Sequence, residues 1–308
     1  MAFRRPEVRE STEGTLLVFA AATGFGTIGV FGEAAARAGL PLSTLLPLRF
    51  ALATVVVAGV AVLRGWSLPP TRRGRAATLA LGVVYTLLTL SYFVSLRYLT
   101  AGLATIVLYT YPSMVVGLGA VVLDEPVTPR RVVALGLATA GVALVVSTGA
   151  GGADPAGLAL ALAAAACYAA YTAGSRSVVP TASPPGVMLG VLVGTTLSMG
   201  VYGVLDGGLA LPATADGWGL VAGIVVLSTV APHLLFYEGV SRLEAGRVGV
   251  VSTAEPVVTV VLGALLLGER VTVAVVVGGA LVLGGVVLVH GDRRGTTTDR
   301  SARAEGDG

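Results

Sequence analysis

The chain has 308 residues, 55% of them hydrophobic and only 12% charged, with a formal net charge of +3. A soluble domain is roughly a quarter charged, so this balance excludes a water-soluble globule, and the small net charge gives no ground for a nucleic-acid partner. One cysteine (Cys167) and two histidines (His233, His290) exclude a disulfide framework, a Cys-rich metal site and a three-histidine zinc centre, so neither a metal nor a cofactor is expected.

The mean hydropathy is +0.87. Apolar stretches of roughly 20 residues, the length that crosses a bilayer, recur along the whole sequence. Residues 1–13 read as a charged cytoplasmic tail, without the short apolar core and small-residue site of a removed signal peptide. Ten spans follow, at 14–34, 42–63, 76–97, 101–123, 131–148, 156–176, 186–205, 217–239, 246–267 and 272–290. Residues 291–308 are polar and Gly-rich and read as a disordered cytoplasmic tail.

All basic residues are arginine, and their placement orients the chain. With the N-terminus inside, the cytoplasmic segments hold 16 arginines and the outer segments only three (Arg37, Arg97, Arg270), while Arg49 lies within a span. That asymmetry over short loops is the positive-inside pattern. It predicts a multi-pass protein of the cell membrane with both termini in the cytoplasm.

The sequence also repeats itself. Residues 99–145 align without a gap on residues 243–289, and 20 of the 47 positions are identical. The match includes Gly102 with Gly246, Pro112 with Pro256, and Leu123-x-Glu125-x-Val127-Thr128 with Leu267-x-Glu269-x-Val271-Thr272. Each half of the chain contains five spans, an odd number, so the second half enters the membrane in the opposite sense. The expected fold is all-α and polytopic, with ten transmembrane helices as two inverted five-helix repeats, residues 14–150 and 151–290.

Polar residues mark six of the spans at helical spacing: Thr23 and Thr27; Tyr85, Thr89 and Tyr92; Thr105, Tyr109 and Ser113; Tyr168, Tyr171, Thr172 and Ser175; Thr229, His233 and Tyr237; Ser252, Glu255 and Thr259. These six spans form three pairs under the repeat. Interhelical hydrogen bonding explains any one stripe; six that obey one symmetry favour a central polar cavity. Pro112 and Pro256 sit mid-span at equivalent positions and predict matching helix breaks.

Ionisable groups at membrane depth are the sharpest single signals. Glu255 lies near the midplane, aligned with Tyr111, and Arg49 lies somewhat outward of it. For Arg49 a structural bond and a substrate contact both stay open. The short link between the eighth and ninth spans predicts that they pack together, bringing His233 and Glu255 into a pair. Glu125 and Glu269 close their spans, where capping of the following helix is the expected role. Gly190-x-x-x-Gly194 and Gly219-x-x-x-Gly223 permit close helix approach and are compatible with a homodimer.

Ten spans in two inverted halves, with a mid-span Pro followed by Leu-x-Glu-x-x-Thr, resemble the EamA-domain transporters of the drug/metabolite transporter superfamily. Leu48-Arg49-Phe50-Ala51-Leu52-Ala53 and Ala254-Glu255-Pro256 carry the likeness further, while Tyr111-Pro112 and Pro126 depart from it. The resemblance implies alternating access along a pathway lined by helices one, three, four, six, eight and nine. The expected function is secondary transport, most simply export, of small organic metabolites such as amino acids or amphipathic drugs; the midplane pair of His233 and Glu255 is read as binding the cationic part of a substrate or a proton that exchanges with it. An enzyme is not expected, because the chain has neither Gly-x-Ser-x-Gly nor His-Glu-x-x-His, and it lacks a phosphate-binding loop. A non-transporting membrane scaffold and, less readily, an intramembrane enzyme stay open as alternatives.

Overall fold

Hydroxyl-bearing residues punctuate the apolar runs, and in the computed structural model they start the helices. Thr71, Thr100, Ser183 and Thr214 each accept a hydrogen bond from the backbone N–H three residues on. Thr128 and Thr272, the threonines that end the repeated motif, do the same. Such caps satisfy N–H groups that have no partner inside the helix. Asp154 Oδ1 likewise accepts from Gly157 N, three residues on, at 3.4 Å, and from Ala156 N at 2.8 Å.

The structure describes residues 5–115, 128–148, 154–178, 183–207, 209–243 and 245–291, and every regular element among them is helical. In chain order these are α1 (Arg5–Gly26), α2 (Ile28–Arg37), α3 (Leu42–Arg64), α4 (Arg72–Ser95), α5 (Ala101–Leu108) and α6 (111–115). There follow α7 (Pro129–Ser147), α8 (Pro155–Val178), α9 (Pro184–Leu205) and α10 (Ala215–Val225). A π-helical stretch, Val226–Val230, joins α10 to α11 (Ala231–Val240), and α12 (Ala245–Ser252), α13 (Ala254–Leu267) and α14 (Val273–Gly291) complete the series. Helix α1 starts inside the segment read as a tail. Glu125 and the C-terminal tail from residue 292 lie outside the described residues.

Eight helical segments are long and apolar enough to cross a membrane. At the two remaining expected positions the described helices are shorter, Ala101–Val115 and Val273–Leu288. Many large apolar side chains stand bare on the outside, for example Leu63 (88% exposed) and Leu205 (82%), as suits a surface solvated by lipid tails.

Helix α4 packs on α8 and α9, α1 on α11, α12 and α13, α3 on α9, α5 on α8 and α13, and α7 on α14. The crossings are close because glycines meet backbone. A Cβ on Gly194 would lie 2.5 Å from the Leu79 carbonyl oxygen, and one on Gly285 would lie 2.6 Å from that of Ala134. The Gly190/Gly194 face is thus occupied by α4 of the same chain.

Candidate functional site

The expected helix breaks are present. The turn at Tyr109–Thr110 separates α5 from α6 just before Pro112, and the turn at Thr253 separates α12 from α13 just before Pro256. These breaks aim Tyr109, Tyr111, Ser252 and Glu255 inward. Pro232 follows the π-helical stretch, whose wider turn lets the Thr229 hydroxyl donate to the Ile224 carbonyl, five residues back, at 2.8 Å. Such single π turns are frequent at functional sites.

The inward side chains enclose a cavity of about 450 Å³. All ten residues singled out from the sequence as pathway-lining border it: Arg49, Tyr85, Tyr92, Tyr109, Tyr111, Tyr168, Tyr171, His233, Tyr237 and Glu255. The six expected spans all contribute, and α3 and α9 join them through Arg49, Pro184 and Met188. At one membrane end the lining reaches Pro184 at the start of α9 and Val240 and Ser241 at the end of α11.

Aromatic rings form a continuous wall. Phe50 meets Tyr85 edge-on at 6.0 Å, and Tyr85 meets Tyr171 at 5.3 Å. Tyr171 adjoins Tyr168, which stacks on Tyr111 at 4.1 Å, and Tyr111 adjoins Tyr109 at 6.1 Å. A charged residue stands at each end. The Arg49 guanidinium lies 4.8 Å from the Phe50 ring centre. The Tyr109 hydroxyl lies 2.9 Å from Glu255 Oε2 and 2.7 Å from the Ser252 carbonyl oxygen. It has one proton for two acceptors.

Arg49 is 2% exposed. Its Nε donates to Thr229 Oγ1 at 2.8 Å, and the guanidinium also lies 5.7 Å from the centre of Phe93. Among the described residues, no carboxylate lies within 4.0 Å of it and its Nη atoms have no hydrogen-bond partner. Two cation–π contacts contribute about 1–2 kcal/mol each at best, whereas taking an ion out of water costs several kcal/mol.

The expected pairing of His233 with Glu255 is not formed. His233 Nδ1 bonds the Thr229 carbonyl at 2.6 Å, and its ring meets Phe25 edge-on at 4.9 Å. The reason is topological: α1 packs against both α11 and the α12–α13 pair. Several other predicted polar residues serve as interhelical bonds. Thr27 Oγ1 meets Ser228 Oγ at 2.6 Å, Tyr92 donates to Thr105 at 2.8 Å, and Thr259 donates to the Gly26 carbonyl at 2.9 Å. The sequence reading missed Phe25, Phe93 and Phe236 in the lining. An apolar ring in an apolar helix leaves no signal of where it points.

Glu269 also departs from expectation, since it caps α5 and not the helix that follows it. Oε1 accepts from Ala101 N at 2.7 Å and Oε2 from Gly102 N at 3.3 Å. A Cβ at Gly263 would sit 2.5 Å from Oε2, so glycine is what lets the carboxylate reach across. Partial burial pushes this carboxyl above its ordinary pKa, and the two N–H donors pull it back. The clamp lies at the membrane end where α5 starts and α13 finishes.

Similarity to known proteins follows the same layout. The model of the "EamA-like transporter family" matches residues 12–147 and again 155–291. The threonine/homoserine exporter RhtA of Escherichia coli (strain K12) is 27% identical over 230 residues, 73% of this chain and 74% of that protein. An uncharacterized transporter of Archaeoglobus fulgidus is 30% identical over 193 residues, 62% of this chain and 68% of that one. The uncharacterized transporter YcbK of Bacillus subtilis (strain 168) is 43% identical over 72 residues, 23% of this chain, and the match spans only 22% of that protein's length. A crystal structure of 21% sequence identity superposes with a TM-score of 0.62, covering 90% of this chain and 96% of its own, and so shares the fold.

Proposed function

The chain belongs to the EamA-like transporter family and is an integral multi-pass membrane protein; from that premise we propose that it is a secondary exporter of small organic metabolites, amino acids foremost, working by alternating access. The observation that carries this is the aromatic-walled cavity, bordered by all ten residues singled out from the sequence as lining the pathway. A cavity of about 450 Å³ is of the size that holds small ligands, which weighs against a scaffold. Export of amino acids is favoured by the likeness to the threonine/homoserine exporter.

We read the architecture as ten helices in two inverted halves. Exchanging the halves supports this, because it turns two major packed pairs into two others: α4 on α8 becomes α11 on α1, and α5 on α8 becomes α13 on α1. Such repeats carry out alternating access about a fixed site. With both termini cytoplasmic, the lining at Pro184 and Ser241 opens inward and the Glu269 clamp closes the outer end. Glu255 is the group proposed to exchange a proton for the cationic part of the solute, on the strength of the shared Tyr109 proton.

Two experiments test this. Proteoliposomes preloaded with solute and diluted into labelled L-threonine, L-phenylalanine, cytidine or ethidium are expected to show counterflow of the amino acids. No counterflow of any of the four would overturn the transporter reading. For orientation, single cysteines at Asp154 and Asp216 in a Cys167→Ser background are expected to react with an impermeant maleimide added outside whole cells, and one at Arg73 is not. The opposite sidedness would overturn both the orientation and the outward closure.

A further inference from the structure

We infer that Arg49 is the carboxylate-binding group of this cavity and makes it selective for solutes that carry a carboxylate. The inference rests on the transport reading and adds to it the chemistry of one subsite. Arg49 borders the cavity and is 2% exposed, yet only its Nε is bonded, to Thr229. Among the described residues the one fully enclosed side-chain polar atom without a partner is Ser113 Oγ. The Arg49 Nη atoms are therefore not fully enclosed, and the residue borders the cavity.

A guanidinium fork with both Nη groups free matches a carboxylate by two parallel hydrogen bonds. Thr229 fixes Nε from one side, and the rings of Phe50 and Phe93 flank the guanidinium. The fork is thus held in position before a ligand arrives, which reduces the ordering cost of binding. Glu255 does not neutralise it, since it bonds Tyr109 at the other end of the aromatic wall. A solute that brings an anion supplies what the protein omits. One that brings a neutral amide or a cation leaves the guanidinium uncompensated or repelled.

The probe pair is L-phenylalanine and L-phenylalaninamide, with L-threonine and L-threonine amide as a second pair, in the counterflow assay. The parent protein is expected to prefer each acid over its amide by at least about tenfold, the difference one charged hydrogen bond makes. Arg49→Gln is expected to bring that ratio close to one, whatever its overall rate. Arg49→Lys, a charge without the fork, is expected to keep a reduced preference. Thr229→Val, which frees Nε, is expected to raise KM for the acids and leave the amides unchanged; it carries the test if size-exclusion shows that Arg49→Gln does not fold. Equal movement of acid and amide, or of ethidium alone, in the parent would overturn this inference while leaving transport standing. So would an undiminished preference in folded Arg49→Gln, or, where that variant is misfolded, an unchanged KM for the acids in Thr229→Val. Absence of counterflow for every solute would instead overturn the transport reading beneath it.

Discussion

Glu255→Gln is expected to lower proton-driven solute uptake about 10- to 100-fold and to flatten its pH profile, with the protein still monodisperse in detergent. Glutamine keeps the shape, and its Oε1 still accepts from the Tyr109 hydroxyl that now lies 2.9 Å from the carboxylate. Helix α13 and its packing on α1 therefore have no reason to change. What is lost is the ability to be charged in one state and protonated in another. A hydrogen bond to a charged group contributes roughly 1.5–3 kcal/mol, and each 1.4 kcal/mol is about a factor of ten, which sets the expected range. Tyr109→Phe provides a graded companion. It removes the one proton shared by Ser252 and Glu255 and is expected to shift the pH profile without removing it. Wild-type uptake with a wild-type profile in Glu255→Gln would leave Glu255 as a fixed partner of Tyr109 and refute the exchange role.

The second large effect is expected from Glu269→Ala. The carboxylate takes two N–H groups at the start of α5 that have no partner within the helix, and it meets the positive end of the helix dipole. Alanine leaves both donors open to water and weakens the contact between α5 and α13. If this contact closes the outer end, its loss moves the population toward an outward-open form by about 10-fold or more, again the worth of a charged hydrogen bond. The reporter is Ile28→Cys in a Cys167→Ser background, since Ile28 lines the cavity on α2. An impermeant maleimide outside whole cells is expected to label it slowly in the parent and about 10-fold faster with Glu269→Ala, while transport falls. Glu269→Gln, which keeps one acceptor, is expected to lie between. Unchanged labelling and transport in Glu269→Ala would reduce the clamp to a helix cap with no part in closure.

Much of the lining was legible before any coordinates because of how hydrocarbon treats polar groups. A tyrosine, histidine, glutamate or arginine in an apolar span is costly unless it faces protein or water, so Tyr85, Tyr168, His233, Glu255 and Arg49 disclosed an interior surface by type alone. Pro112 and Pro256 disclosed breaks for a local reason, a missing donor.

Partners across the molecule were not legible. The loop between α11 and α12 is short, and chain proximity suggested that His233 meets Glu255; the intervention of α1, far away in sequence, gives His233 to Thr229 and Phe25 and leaves Glu255 to Tyr109. Glu269 stands directly before a helix, yet it reaches Ala101 and Gly102 because Gly263 leaves room beneath it and α5 lies alongside. Likewise, Arg49 was marked as costly by its position, but that cost could equally have been met by an ion pair. Only the folded chain surrounds it with Phe50, Phe93 and Thr229 and, among the described residues, no carboxylate. Composition and spacing determine which groups must leave the lipid, since that penalty belongs to each residue alone. Tertiary packing decides which of them meet, because a hydrogen bond or ring contact depends on angstrom-scale distances between helices that no local pattern encodes.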